Sequence, residues 1–269
     1  MTRSDIISEL KNRGYEAQSQ KSIKNGVTFE GIVIRSESAI APVIYTGPII
    51  NESETVEEAA DKVLRLYEAH STIPFDAAVL KDPDWIIEHI TIGLQHASDE
   101  MLVKKDTEFE GIEQYLMLRG ETVDGSYSLK VTPELLATAG IDTEEAWKEA
   151  MVHICRDTQL ISLDKIMTDM LGEDFDETMR SGSPIHVITT VQKIKGAAAI
   201  LNRDALSHFA REHNVDSLIV LPSSISEMLI IPFDGSMKLE EMSAMVKEVN
   251  DTQVAPEERL TDRAYILKM

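Results

Sequence analysis

Residues 218–232 read Leu-Ile-Val-Leu-Pro-Ser-Ser-Ile-Ser-Glu-Met-Leu-Ile-Ile-Pro, and they carry the strongest fold signal in the chain. Two short apolar runs flank a polar corner at residues 222–227, which we call the serine corner. Strands that are buried on both faces have nearly continuous apolar sequences. The segment therefore predicts a central hairpin, with the serine corner as its turn, in a sheet that helices cover.

The N-terminal part of the chain has the pattern of a helix, antiparallel strands and a second helix. Asn25-Gly26 supplies the two positive-φ positions of a tight hairpin turn. Thr55 and Glu58 fit a capping box at the start of the clearest helical period in the sequence. We therefore expect a helix at 4–14, two strands joined at Asn25-Gly26, a strand at 40–46 and a helix at 55–70.

The middle of the chain mixes both patterns. A short strand is expected at 76–80, whereas residues 85–94 suit either the end of a helix or a strand. Two strands at 113–119 and 126–131 are expected to form a second hairpin. Three helices follow, and the acidic, apolar-poor stretch at 172–183 is the best linker candidate. The helices are expected to begin near Pro133, Asp142 and Ser162.

The C-terminal part again predicts a helix, a hairpin and a helix, at 204–213, 218–232 and 238–249. Strands and helices do not alternate regularly, which favours an α+β fold with mainly antiparallel sheets flanked by helices. The two ends suggest similar α-β-β-α halves, although no sequence identity between them is visible and a true duplication stays open. The predicted segments are an N-terminal half (1–96), a middle hairpin and helical segment (97–183) and a C-terminal half (184–269).

The chain is strongly acidic, with 47 Asp and Glu against 26 Lys and Arg and a net charge of −21. Binding to nucleic-acid phosphates requires clustered basic residues, so direct nucleic-acid binding is not expected. The charge has two interpretations, namely solubility through mutual repulsion or an acidic face presented to a basic protein partner. The candidate residues for that face are Glu57, Glu58, Asp106, Glu108, Glu110, Glu144 and Glu145.

The cysteine count, the N-terminal sequence and the length of the apolar stretches predict the cellular location. Cys155 is the one cysteine, so an intramolecular disulfide is impossible and a reducing compartment is favoured. We interpret Cys155 as a small core residue. The N-terminus has no apolar signal region, and no apolar stretch reaches the roughly 18 residues of a membrane span. A cytoplasmic protein without membrane contact is expected, and its oligomeric state is not predicted.

The serine corner contains the candidate catalytic residues Ser223, Ser224 and Glu227. A nucleophilic serine needs a base and an oxyanion hole, and the Gly-x-Ser-x-Gly elbow is absent from the sequence. Serine is also a common turn residue whose hydroxyl bonds to turn amides. We therefore interpret the three residues as turn residues, predict no catalytic residue, and keep a hydrolase that uses this corner as the alternative.

No metal or cofactor is predicted. Residues 106–111 begin like a calcium loop, but Met117 stands where the bidentate Glu is required. His153 and Cys155 have no partner pair at metal-ligand spacing. Gly196-Ala197-Ala198-Ala199 fits neither phosphate-binding glycine motif, and its small residues are better explained by close packing against a sheet.

Several short motifs together resemble a known family. They are Lys24-Asn25-Gly26-Val27 with the segment 31–35, Pro42-Val43-Ile44-Tyr45, Gly196-Ala197-Ala198-Ala199, Leu221-Pro222-Ser223-Ser224 with Glu227 and Pro232, and the segment 249–252 followed by Val254 and the segments 256–258 and 260–262. The chain resembles an uncharacterised bacterial family of acidic proteins that are often encoded on mobile elements. The resemblance covers nearly the whole chain and implies one architecture, but it brings no activity. The resemblance implies that many relatives of this type carry His two residues after the paired serines, where this chain has Ser226.

These observations favour a protein that acts without catalysis, through an interaction with an unidentified protein. The resemblance and the charge favour a more specific form, an acidic inhibitor or nucleic-acid-mimicking decoy from a mobile element.

Overall fold

The computed structural model describes residues 1–35, 41–70, 76–122, 125–171 and 182–269. It confirms the α+β fold with antiparallel sheets. The chain divides into two compact units, Met1–Val79 with Glu121–Tyr127 and Leu80–Gly120 with Ser128–Met269. The division into three sequence segments at 96 and 183 stays a prediction.

The first unit is a small sheet covered by helices on one face. Its elements are α1 (Arg3–Asn12), β1 (Ala17–Lys24), β2 (Val27–Ile34), β3 (Ile44–Tyr45), α2 (Thr46–Glu52) and α3 (Val56–His70). The strands are ordered β1-β2-β3, and both neighbouring pairs are antiparallel. Asn25 and Gly26 have φ values of 47° and 79°, so the predicted hairpin turn is confirmed.

Two predictions near this unit need correction. The strand expected at 40–46 is only Ile44–Tyr45, Ile40 lies outside the described residues, and Thr46 begins α2 instead. The strand expected at 76–80 is wrong, because Ala77–Lys81 forms a 3-10 helix. The Asp76 carboxylate accepts a hydrogen bond from the Ala78 amide at 2.9 Å, and such side-chain bonds favour a turn over a strand.

The second unit contains two further sheets and most of the helices. Its elements are α4 (Pro83–His89), β4 (Ile90–His96), β5 (Lys104–Asp106), β6 (Ile112–Thr122), β7 (Gly125–Lys130), α5 (Pro133–Ala139), α6 (Thr143–Asp157), β8 (Thr158–Ser162), α7 (Leu163–Leu171), β9 (His186–Thr190), α8 (Arg203–Glu212), β10 (Ser217–Leu221), β11 (Met228–Pro232), α9 (Leu239–Gln253) and β12 (Tyr265–Lys268), with 3-10 helices at Gly196–Leu201 and Pro256–Glu258. One sheet has the order β4-β6-β5, with β7 also on β6, and the other has the order β12-β10-β11-β9-β8.

The predicted central hairpin is confirmed. Strands β10 and β11 pair in antiparallel register and lie inside the five-stranded sheet, between β12 and β9. Leu218 and Val220 belong to the main core, while Ile219 and Ile231 pack on the opposite face with Val246 of α9. Because both faces of the sheet are buried at β10 and β11, burial explains the apolar runs beside the serine corner.

The ambiguous stretch at 85–94 contains both structures. Asp82 caps α4, its carboxylate accepting hydrogen bonds from the Asp84 and Trp85 amides, and β4 starts at Ile90. Strand β8 was not predicted. It follows α6 directly and pairs with β9 in antiparallel register. The segment is therefore extended because of its pairing with a distant strand rather than because of its local sequence.

Candidate functional site

The hydroxyl groups of the serine corner hold the turn together. Ser223 Oγ donates to the Glu227 carbonyl at 2.9 Å, and Ser224 Oγ accepts from the Ser226 amide at 3.1 Å. The Ser224 amide also donates to the Glu227 carbonyl at 3.1 Å. Hydroxyl groups used in this way stabilise a turn.

The serine corner is also bonded to its neighbours. The Ile225 amide donates to the Glu258 carbonyl at 2.8 Å, and the Ile225 carbonyl accepts from the Ala197 amide at 3.2 Å. Thr189 Oγ1 donates to the Ser226 carbonyl at 2.8 Å. The corner therefore joins β9, the 3-10 helix at Gly196–Leu201 and the segment near residue 258.

Gly196 lies where this junction is tightest. A Cβ atom added there would lie 2.3 Å from Thr189 Oγ1 and 2.8 Å from the Ser226 carbonyl oxygen. Residues Ala197, Ala198 and Ala199 have no exposed surface. The small residues of this segment therefore serve close packing, as the sequence predicted.

The seven candidate residues of the acidic face divide between the two units. Glu57 and Glu58 lie on α3 in the first unit, where Glu58 accepts from the Glu54 amide at 2.9 Å and pairs with Lys62 at 3.0 Å. These contacts, led by the amide bond from Glu54, lower the pKa of Glu58. The residues of the second unit are Asp106, Glu108, Glu110, Glu144 and Glu145.

In the second unit, several of these carboxylates lie near the turn between β5 and β6. Glu144 lies 3.4 Å from Lys105, the neighbour of Asp106 on β5. We call Asp106, Glu108, Glu110 and Glu144 the acidic region. Two further ion pairs join this region to arginines that are far away in the sequence. These are Glu108 with Arg203 at 3.2 Å and Glu110 with Arg263 at 2.5 Å.

A buried polar face of the β4–β6 sheet was not predicted. In β4, Thr91, Gly93 and Gln95 alternate with apolar residues, and they pair across the ladder with polar or bulky residues of β6. These partners are Met117, Tyr115 and Glu113, respectively. Alternation normally indicates one face in solvent, yet Thr91, Gln95, Glu113 and Tyr115 are all less than 5% exposed. The period-two alternation is visible in the sequence, but alternation alone does not show whether the polar face is exposed to solvent or buried.

The Glu113 carboxylate accepts three side-chain hydrogen bonds within this face. Its carboxylate accepts from Gln95 Nε2 at 2.7 Å, Ser98 Oγ at 2.8 Å and Lys104 Nζ at 3.0 Å. Burial alone would raise the pKa of Glu113, but the hydrogen bonds outweigh burial and the pKa lies below its ordinary value. The charged carboxylate is therefore a structural anchor for the segment that carries Ser98 and Lys104.

Tyr115 lies beside this anchor and faces two lysines. Its ring covers Gly93, where an added Cβ would lie 2.7 Å from Tyr115 Oη. Lys195 Nζ donates to that oxygen at 3.3 Å, and Lys130 Nζ lies 5.3 Å from the ring centroid. Burial, reinforced by the Glu100 carboxylate, raises the pKa of Tyr115, so the phenol stays protonated at neutral pH.

The interpretation of Cys155 as a core residue is wrong, because its side chain is exposed on α6. The buried stripe of this helix contains Ala150, Ile154 and Asp157, and Cys155 points about 100° away from Ile154. Partial burial, with a contribution from Asp204, still raises the pKa of the thiol. A raised pKa disfavours the reactive thiolate.

Comparison with known proteins gives the family of the chain. The chain belongs to a family of unknown function (DUF5688), whose model matches residues 2–268. No curated protein and no solved structure matches it. In the described residues, none of the helices is long and apolar enough to cross a bilayer.

Proposed function

We propose that this member of the family acts in the cytoplasm by binding a protein partner, and that the partner presents a basic surface to the acidic region. The observation that carries the proposal is the grouping of exposed carboxylates around the β5–β6 turn. The side chains of Glu110 and Glu144 are 79% and 80% exposed. Exposed charges of one sign attract an oppositely charged partner and speed its association.

The basic residues within this region do not prevent such binding. Arg203 and Arg263 pair with Glu108 and Glu110, but both arginines are about half exposed, at 46% and 60%. Lys105, which pairs with Glu144, is likewise 45% exposed. Exposed ion pairs typically contribute only about 0–1 kcal/mol. Lysine or arginine side chains of a partner can therefore replace them at little cost.

The geometry of the serine corner supports an activity without catalysis. Both paired serines are bonded within the turn, and their contacts fix the corner to three neighbouring segments. A nucleophile needs a base at hydrogen-bond distance, whereas Ser223 Oγ donates to a backbone carbonyl. We therefore assign the corner to the scaffold of the protein.

The partner that suits an acidic region best is a nucleic-acid-binding protein, because its phosphate-binding surface carries clustered Lys and Arg. Carboxylates presented at such a surface would compete with phosphates. Carriage on a mobile element, which the sequence resemblance implies, would fit an inhibitor directed at a host or rival protein.

Affinity purification with matched charge variants tests the proposal. The first bait is the protein with Glu108→Gln, Glu110→Gln and Glu144→Gln. The control bait carries Glu240→Gln, Glu241→Gln and Glu248→Gln, which remove the same charge from exposed positions of α9. We expect wild type and control to retain the same basic protein from extracts of the native host, and the first variant to lose it. Equal retention by all three baits would refute a role for the acidic region.

A further inference from the structure

Strand β1 is an exposed edge of the sheet in the first unit. It spans eight residues, Ala17–Lys24, and in the described part of the chain it pairs with β2 alone. All of its residues except Ala17 and Ser22 are exposed. An uncovered strand edge is a template for pairing with another chain, and natural proteins usually shorten or cover such edges.

The backbone bonds to β2 determine which groups of β1 point outward. The Arg35 amide donates to the Glu16 carbonyl at 3.0 Å, directly beside the first residue pair of the ladder. In an antiparallel pair, residues bonded in this way alternate with residues whose amide and carbonyl groups face away from the partner strand. Ser19, Lys21 and Ile23 therefore present their backbone groups at the open edge.

Most of these outward groups have no partner. Gln20 Nε2 donates to the Lys21 carbonyl at 2.9 Å. The amides of Ser19, Lys21 and Ile23 and the carbonyls of Ser19 and Ile23 form no backbone hydrogen bond with another described residue. An extended segment can bind to such an edge as an additional strand, with main-chain hydrogen bonds that supply the affinity.

The charge of the strand favours an acidic segment. β1 contains Lys21 and Lys24 and no acidic residue, in a chain whose net charge is −21. Lys21 Nζ lies 3.5 Å from a Glu30 carboxylate oxygen, but the Lys21 side chain is 71% exposed, so this ion pair adds little. Complementary charge would therefore select the segment that pairs with β1.

An open cleft at the start of the strand adds two further cations. The cleft has a volume of about 470 Å³, and its lining includes Lys11, Tyr15, Glu16, Gln18 and Arg35. Within the described ranges, neither Lys11 nor Arg35 forms an ion pair. The two cations and the Glu16 carboxylate leave an excess of one positive charge. Lysine and arginine side chains form strong hydrogen bonds with carboxylates.

We propose that β1 binds an extended acidic segment of a partner protein by strand addition. The segment bonds to the outward amides and carbonyls of Ser19, Lys21 and Ile23, and one of its acidic side chains occupies the cleft beside Lys11 and Arg35. This surface belongs to the first unit. It is distinct from the acidic region of the second unit, which attracts a basic partner.

Fluorescence anisotropy with the full-length protein and a labelled peptide in which Glu alternates with Thr tests strand addition. We expect wild type to bind this peptide, and not a peptide in which Lys replaces Glu. Ser19→Pro should weaken binding about tenfold, because it removes an outward amide and breaks no bond to β2. Ser19→Ala keeps the amide, so it is the matched control and should bind as wild type does.

A second pair of variants tests the cleft. Lys11→Gln combined with Arg35→Gln should weaken binding of the acidic peptide about tenfold, because both cations that face its carboxylate are lost. Lys81→Gln combined with Lys148→Gln removes the same charge from other exposed positions. This control should bind as wild type does.

Circular dichroism of each variant confirms folding before the titration, and Ile23→Pro provides a second edge variant if Ser19→Pro does not fold. No binding by wild type, equal affinity for the acidic and basic peptides, or unchanged affinity in the folded edge variants would overturn the proposal. Analytical ultracentrifugation of wild type should show no dimer that Ser19→Pro dissociates. Such a dimer would assign the edge to a second copy of the chain and would also overturn the proposal.

Discussion

At the scale of single residues, Asp157 is a buried carboxylate that two neighbouring arginines stabilise. It is 7% exposed, and it accepts from Arg119 at 3.0 Å and from Arg156 at 2.8 Å. The Arg119 side chain is 14% exposed, whereas that of Arg156 is 63% exposed. The two arginines therefore give a matched pair of substitutions around one carboxylate.

Arg119→Met should destabilise the protein by about 3 kcal/mol, because removing one partner of a buried ion pair leaves the other charge poorly compensated. Arg156→Met should cost about 1 kcal/mol or less, since its guanidinium is largely in solvent. Urea unfolding of both variants measures the difference. Equal destabilisation would contradict the argument that the burial of each arginine sets the cost of its loss.

The same pair predicts a pH dependence. Burial would raise the pKa of Asp157, but hydrogen bonds from Arg156 and Arg119 outweigh burial and the pKa is lowered. Its stabilising contribution is therefore fully present above the unfolded pKa of about 3.9 and is lost as the pH falls through the lower folded pKa. The stability difference between wild type and Arg119→Met should shrink below about pH 4. A constant difference in unfolding free energy across this range would refute the argument.

Gly93 and Tyr115 form a second coupled pair. In Gly93→Ala the new methyl group meets the Tyr115 ring at 2.7 Å, so overpacking should destabilise the protein by about 1–3 kcal/mol. In the background of Tyr115→Ala the same substitution should cost much less, which a double-mutant cycle by thermal unfolding measures. Additive effects of the two substitutions would show that the ring is not over Gly93.

At the scale of secondary-structure elements, the serine corner should behave as a turn. Ser223→Ala removes one hydrogen bond to the Glu227 carbonyl and should cost about 1 kcal/mol of unfolding free energy. Ser224→Ala should have a similar effect through the Ser226 amide. Turnover of generic ester and phosphoester substrates should be at background for wild type and both variants. Turnover by wild type that either substitution abolishes would restore the hydrolase alternative.

Elements with strong local signals were predictable from the sequence. The Asn25-Gly26 turn and the two apolar strands of the central hairpin are found where they were expected. Strand β8 and the 3-10 helix at Ala77–Lys81 were not predictable in the same way. The first is extended because it pairs with β9, and the second follows from a side-chain bond of Asp76.

The candidate site was less predictable than the fold. The sequence identified the serine corner and explained it as a turn, which agrees with its hydrogen bonds. It did not identify Tyr115 and Lys195, which are 80 residues apart in the chain and meet only in the folded protein. Nor did it show that the polar residues of β4 and β6 are buried, because period-two alternation is equally compatible with solvent.

At the scale of the whole molecule, the acidic charge and the family membership apply to the full chain. The family model spans residues 2–268 and therefore covers both compact units. The net charge of −21 acts at long range, whereas the exposed ion pairs of the acidic region act locally and weakly. Recognition of a basic partner should therefore be visible first in the rate of association.

The most direct test of partner recognition by charge is stopped-flow measurement of the association rate constant with the captured partner, over a series of salt concentrations. The rate constant should fall steeply as ionic strength rises, because salt screens attraction over about 10 Å at 0.1 M. The slope should be smaller for the variant with Glu108→Gln, Glu110→Gln and Glu144→Gln. A rate constant that does not change with salt, or equal slopes for both proteins, would contradict the account.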